Sequence, residues 1–147
     1  MSALASDTAG ALQNALAAEH ALVWVYGLAT AFVPGADVTA GLTEHTARRD
    51  SLERMLTDGG AIPQPAAAGY ATPQPVSSRA TAMTALAVAE SEAELAWRAV
   101  LENTDDADLR TTALSCLTDS AVRQTRWRRV SGQSPASVAM PGQPRQI

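Results

Sequence analysis

Six polar side chains fall at core-facing positions near the middle of predicted helices, where they could do chemistry together. We identify these positions by a spacing of alternately four and three residues, which places side chains on the face of each helix that points into the core of a bundle. The six are Glu19, His45, Arg49, Glu90, Glu94 and Arg123. Because a lone buried carboxylate is costly unless it is paired, these groups must satisfy one another or bind a cation.

A di-metal carboxylate site is the first chemistry that this pattern indicates. Such a site takes one Glu from each of two helices and a Glu-x-x-His from each of the other two. Glu19 matches the first helix, Glu90 or Glu94 matches the third, and His45 matches one histidine. The Glu expected three residues before His45 is replaced by Leu42, so this part of the motif is incomplete.

The fourth predicted helix argues against a metal, because it contains no histidine. Arg49 and Arg123 occupy core-facing positions instead, and arginine pairs strongly with carboxylates. The sequence therefore predicts a salt-bridge layer without a cofactor. The alternative is a reduced site for iron or manganese. Its ligands would be Glu19, His45, Glu90 and Glu94.

Four helices must position these residues, and no strand pattern is present. They are predicted at about 6–33, 37–59, 78–103 and 105–130. Pro34-Gly35 and Gly59-Gly60 are stop signals, and Ser78 is a good N-cap. The 147-residue chain suits one all-α domain, with a polar tail over residues 131–147.

The connection between the second and third helices decides the topology. Residues 60–76, which we call the crossover, contain Pro63, Pro65, Pro73 and Pro75. An extended segment at about 3 Å per residue could cover about 45–50 Å, more than the roughly 38 Å of a 25-residue helix. Two antiparallel hairpins joined by a long Pro-rich crossover is therefore the predicted four-helix bundle. A loop in an up-down-up-down bundle is the alternative.

The order and spacing of several short motifs along the whole chain resemble a known family. These motifs are Glu19-His20 with Trp24, Tyr26 and Gly27, then His45 before Arg48-Arg49-Asp50, Tyr70 in the crossover, Glu90 to Trp97-Arg98, and Arg123 to Trp127. Together they resemble an uncharacterised ferritin-like domain family of high-GC bacteria. The resemblance implies a ferritin-like bundle, often a homodimer, and it implies no activity.

Composition limits the remaining classes of function. A net charge of −4 argues against a general nucleic-acid binder, although the arginines near the end of the fourth helix leave a small basic patch. The apolar run 21–33 is too short to span a membrane. The single cysteine, Cys116, excludes an intrachain disulfide and favours a cytoplasmic location.

An enzyme is the less favoured hypothesis. Because His20 and His45 are the only histidines, no nucleophile-base-acid triad can be assembled, and no phosphate-binding glycine loop is present. A reactive Cys116 would require a lowered thiol pKa. The tryptophans Trp24, Trp97 and Trp127 are expected to be core anchors, with a small-molecule pocket between them as the alternative.

Overall fold

The computed structural model describes residues 3–144 as four helices, and no strand occurs among them. The helices are α1 (Ser6–Ala29), α2 (Ala36–Asp58), α3 (Arg79–Glu102) and α4 (Ala107–Val130). The predicted all-α four-helix class is therefore confirmed. None of the four has the length and apolarity that a membrane span requires.

Local signals explain most of the helix ends. The side chain of Ser78 accepts a hydrogen bond from the backbone N–H of Thr81, and Asp106 caps α4 in the same way through Leu109. The main difference from the prediction lies at the end of α1. This helix stops at Ala29 rather than at 33, and the next residues form tight turns before Pro34.

Contacts between distant residues establish the topology. The backbone N–H of Leu4 bonds to the carbonyl of Gly59, so α1 and α2 are antiparallel. Thr8 bonds to the carbonyl of Asn103, while Tyr26 meets Glu90, so α1 and α3 are also antiparallel. It follows that α2 and α3 run parallel and need a connection as long as the bundle.

The crossover makes that connection along the surface of α1. The amide of Gln13 bonds both the carbonyl of Ile62 and the N–H of Gln64. Further along α1, the His20 ring lies 3.1 Å from the carbonyl of Gln64. The ring of Trp24 then packs against Tyr70 at 6.0 Å between centroids. The predicted crossover is confirmed, and His20 serves to anchor it from an interface position.

The bundle is closed on three sides and wider on the fourth. Helix α1 packs against α2 and α3, and α3 packs against α4, but no α-carbons of α2 and α4 approach within 8 Å. The described part of the tail, residues 131–144, folds back over α3 and α4. Arg128 holds it by donating to the carbonyls of Pro135 and Ala136. The last three residues of the predicted tail lie outside the described range.

Candidate functional site

Three helices bring Glu19, His45 and Glu90 together at the centre of the bundle. Each side chain is fully buried, and each comes from the middle of a different helix. The Nδ1 atom of His45 lies 2.6 Å from Oε2 of Glu19, and its Nε2 atom lies 2.9 Å from Oε1 of Glu90. The imidazole therefore bridges two carboxylates with both of its ring nitrogens.

This arrangement determines the charge of His45. Burial by itself lowers the pKa of the imidazole, but hydrogen bonds to Glu19 and Glu90 and their negative charges raise the pKa to about 9. At neutral pH the ring is therefore an imidazolium that donates to both carboxylates. Charge-assisted hydrogen bonds of this kind are stronger than neutral ones.

Aromatic side chains donate further hydrogen bonds to one oxygen of each carboxylate. The indole N–H of Trp97 donates to Oε1 of Glu19 at 2.7 Å. The hydroxyl of Tyr26 donates to Oε1 of Glu90 at 2.5 Å and accepts from the indole N–H of Trp127 at 2.9 Å. Burial and the charge of Glu90 raise the pKa of Tyr26, so the phenol stays protonated. Trp97 and Trp127 are core anchors as predicted, and both also donate into this network.

The arginine that enters the core from α2 is Arg48, not Arg49. Arg48 is buried, and Arg49 is 27% exposed and pairs with its neighbour Asp50. The prediction for Arg49 was wrong by one residue. The next core-facing position after His45 is three residues further along α2, not four, and a spacing of three keeps the side chain on the inward face of the helix.

Arg48 spans the wide side of the bundle between α2 and α4. Its guanidinium lies 3.0 Å from a carboxylate oxygen of Asp119 and 3.3 Å from the hydroxyl of Ser120. It also lies 4.0 Å from Oε1 of Glu19. One side chain thus connects the central carboxylate to α4, where the backbones are too far apart for direct packing.

Glu94 is buried as predicted, but it points toward the returning tail. A methyl group at Gly142 would collide with the backbone of Glu94, so the tail crosses α3 closely there. Burial raises the pKa of Glu94 to about 7, although the backbone N–H of Gly142 opposes this shift and the charge of Glu90 adds to it. The Oε1 atom of Glu94 and the Oε2 atom of Glu90 are buried without a hydrogen-bond partner.

Arg123 lies at the edge of the network rather than inside it. It lines a small cavity of about 50 Å³ together with Tyr26, Trp127 and Asp37 from the start of α2. Its Nη1 atom is buried and makes no hydrogen bond. This volume is enough for a water molecule.

Two of the predicted chemistries meet obstacles in this geometry. Burial raises the pKa of the Cys116 thiol to about 11, so the thiol is protonated and unreactive at neutral pH. Within residues 3–144, no group of three or more His, Cys, Asp or Glu side chains is arranged to hold a metal ion. A metal at His45 would also have to remove a ring proton and displace a carboxylate that is already bonded.

One member of the site, Gly41, could not be singled out from the sequence. A methyl group at this α2 position would overlap the Tyr26 ring, so only glycine lets the ring lie against α2.

We expect Gly41→Ala to lower the free energy of unfolding by about 1–3 kcal/mol through overpacking. Gly10→Ala is the matched control, since nothing lies near that position in α1. It should instead stabilise the helix by about 0.5–1 kcal/mol. Urea denaturation of both variants checks the opposite signs.

Comparisons with known proteins identify a family and a similar solved structure. A family model described as "Domain of unknown function (DUF4439)" matches residues 11–145. The crystal structure of a conserved hypothetical protein, rv2844, from Mycobacterium tuberculosis is 41% identical, with a TM-score of 0.81 over 87% of this chain and 99% of that chain. No curated protein matches. The chain therefore belongs to the DUF4439 family.

Proposed function

We propose that the chain is a ferritin-like, non-enzymatic binding or structural protein whose polar core layer works without a metal. In this layer an imidazolium takes the position that a metal ion would occupy between carboxylates. The observation that carries the proposal is the bridging of Glu19 and Glu90 by both ring nitrogens of His45. The positive charge holds α1, α2 and α3 together, which is the work of a bridging cation.

The charges of the layer support this proposal. Glu19 and Glu90 both contact the imidazolium of His45, and the guanidinium of Arg48, which also pairs with Asp119, lies 4.0 Å from Glu19. A divalent ion added here would meet two cations and would have to displace one of them.

The rival function is an iron- or manganese-binding protein, with an oxidase or iron-handling role. One observation favours it: Oε2 of Glu90 and Oε1 of Glu94 are buried without partners, and both lie on one face of α3. Carboxylate oxygens are suitable ligands for these metals. Glu90 and Glu94 would be the main ligands of such a metal, and Glu19 and His45 would be additional ligands.

Metal counting under anaerobic conditions separates the two functions. We expect the stripped protein, offered Fe(II), Mn(II) or Zn(II) and then dialysed, to retain well under one ion per chain. The Glu94→Gln variant is the matched comparison, because it removes a rival ligand without touching the His45 bridge. One or two ions in the parent chain that are lost in this variant would overturn the metal-free proposal.

The charge of His45 has its own readout. In ¹⁵N-labelled protein at pH 7.5, we expect both ring nitrogens of His45 to be protonated, because its pKa is about 9. His20 is the only other histidine and provides the internal reference, assigned with a His20→Gln variant. A neutral His45 ring with one unprotonated nitrogen would contradict the proposal and leave a free metal ligand.

Two further parts of the proposal concern the setting of the protein. We place it in the cytoplasm on the basis of its single cysteine, Cys116, which is buried and unpaired. We also propose that it acts as a homodimer without nucleic acid. Sedimentation equilibrium over a range of protein concentrations tests the homodimer directly.

A further inference from the structure

The outward face of α4 and the tail beside it expose an apolar surface. Of the eight large apolar side chains that are exposed in the described residues, four lie here. The four are Leu114 and Val122 on α4, with Val138 and Met140 from the tail. Such concentration on one face marks an interaction surface more often than scattered single residues do.

A groove of about 680 Å³ runs between α4 and the tail on this face. Its apolar lining includes Leu117, Val122 and Val138. The charged residues in the lining are Arg126 and Arg129, and no acidic residue lines it. Neither arginine forms an ion pair among the described residues. The chemistry of the groove therefore calls for a partner that is apolar in its middle and acidic at one end.

Helix α4 itself has that character. The acidic residues Asp105 and Asp106 precede it, Asp108 lies in its first turn, and it exposes Leu114 and Val122 further along. The basic residue near its start, Arg110, is turned away into the α3–α4 loop. Its guanidinium donates there to the carbonyls of Leu101 and Thr104. An antiparallel copy of α4 would thus present its acidic end to the basic end of the first copy.

We infer that the outward face of α4 and the adjoining tail form a homodimer interface, in which two α4 helices pack antiparallel about a two-fold axis at Thr118. Leu114 and Val122 lie four residues on either side of Thr118, about 6 Å along the helix axis. The two-fold operation therefore brings Leu114 of one copy beside Val122 of the other. Contacts of this reciprocal kind define a two-fold dimer.

The charges obey the same symmetry. Arg126 lies eight residues after Thr118 and Asp108 lies ten residues before it, at about 12 and 15 Å along the axis. At 100° per residue, both are turned by about 80° to the same side of Thr118. Arg126 of one copy thus lies beside Asp108 of the other, with Arg129 close by. The acidic and basic turns at the two ends of α4 thereby become complementary to each other.

This inference rests on the proposed homodimer, and its first test separates the two. We expect sedimentation equilibrium to show a dimer that Val122→Asp weakens by more than about tenfold, because a buried unpaired carboxylate would face apolar groups. Ile62→Asp is the control, since Ile62 is an exposed apolar residue in the crossover. A parent chain that stays monomeric would overturn both ideas. A dimer that Val122→Asp leaves intact would overturn only the choice of face.

Two substitutions test the geometry of the interface. The two-fold axis places residue 118 of one copy next to residue 118 of the other. Thr118→Cys in a Cys116→Ala background should therefore form a disulfide-linked dimer under mild oxidation. Thr43→Cys, on the exposed face of α2, should not. Equal cross-linking of both variants would show random collision and contradict the two-fold arrangement.

Charge reversal tests the antiparallel orientation. We expect Arg126→Asp to weaken the dimer, more clearly at low salt, and the additional change Asp108→Arg to restore it. Circular dichroism controls for the folding of each variant. Failure of the second reversal to rescue the first would exclude an antiparallel α4 pair.

Discussion

Glu19→Ala is expected to lower the free energy of unfolding by about 3–5 kcal/mol at pH 7, which is the cost of removing one partner from a buried ion pair. Three groups depend on this carboxylate. The imidazolium of His45 and the indole N–H of Trp97 bond to its two oxygens, and the guanidinium of Arg48 lies 4.0 Å away. The variant leaves the buried imidazolium of His45 with Glu90 as its one remaining carboxylate partner and removes the only fully buried carboxylate within 4.0 Å of Arg48. Urea denaturation followed by circular dichroism measures the loss.

The control for this prediction removes a different carboxylate that contacts Arg48. Glu44 lies 3.4 Å from Nε of Arg48, and its side chain is 45% exposed. Glu44→Ala should therefore cost less than about 1 kcal/mol, as for other solvent-exposed ion pairs. Similar losses for Glu19→Ala and Glu44→Ala would mean that the central layer has no special role in stability.

A Glu19→Gln variant separates charge from hydrogen bonding. The amide oxygen can still accept from Trp97, but it no longer stabilises an imidazolium. We expect an intermediate loss of stability and a lower pKa for His45, measured by NMR. An unchanged His45 pKa would show that the negative charge of Glu19 is not what keeps the ring protonated.

The fold could be predicted from the sequence because its signals are local. Proline and glycine end the helices, and the proline-rich segment 60–76 is long enough and extended enough to be a crossover. Residues near the midpoints of antiparallel helices meet at one level. The meeting of Glu19, His45 and Glu90 follows from this symmetry alone.

What the sequence could not provide depends on small rotations and on the return of the tail. The choice between Arg48 and Arg49 depends on a single 100° step after His45, which helical periodicity leaves open. The surroundings of Glu94 depend on Gly142, which lies almost fifty residues further along the chain. No helical pattern in α3 indicates that a distant segment will cover one of its carboxylates.

Arg48 and His45 together suggest how the bundle tolerates its charged centre. Each cation contacts groups from more than one helix, so a change in the position of either side chain would break contacts between helices. Replacement of such a set by apolar residues is often neutral or stabilising in other proteins. Its value here lies in fixing the register of α1, α2 and α3, because only one alignment brings both ring nitrogens of His45 to carboxylates.

Glu94→Gln is expected to stabilise the protein above pH 7 and to remove part of its pH dependence. Burial raises the pKa of Glu94 from 4.5 to about 7. Between these values the folded chain keeps a proton that the unfolded chain releases, so the free energy of unfolding falls as the pH rises. The full loss, present above about pH 7, is roughly 3 kcal/mol. Glutamine carries no charge and avoids this cost. The net gain is reduced by a weaker hydrogen bond from the backbone N–H of Gly142.

The same experiment distinguishes Glu94 from His45. The raised pKa of His45, about 9 against 6.5, predicts a second loss of stability between these values, because deprotonation breaks the bridge between Glu19 and Glu90. Because the two pH windows adjoin, urea denaturation from pH 4 to 10 should show one continuous loss of stability in the parent chain, from about pH 4.5 to about pH 9. Glu94→Gln should flatten the part of the curve below about pH 7 and leave the part above it unchanged. Parallel curves for the parent and the variant would mean that Glu94 is ionised in the folded protein at no cost, and hence that a cation or water compensates its buried oxygen.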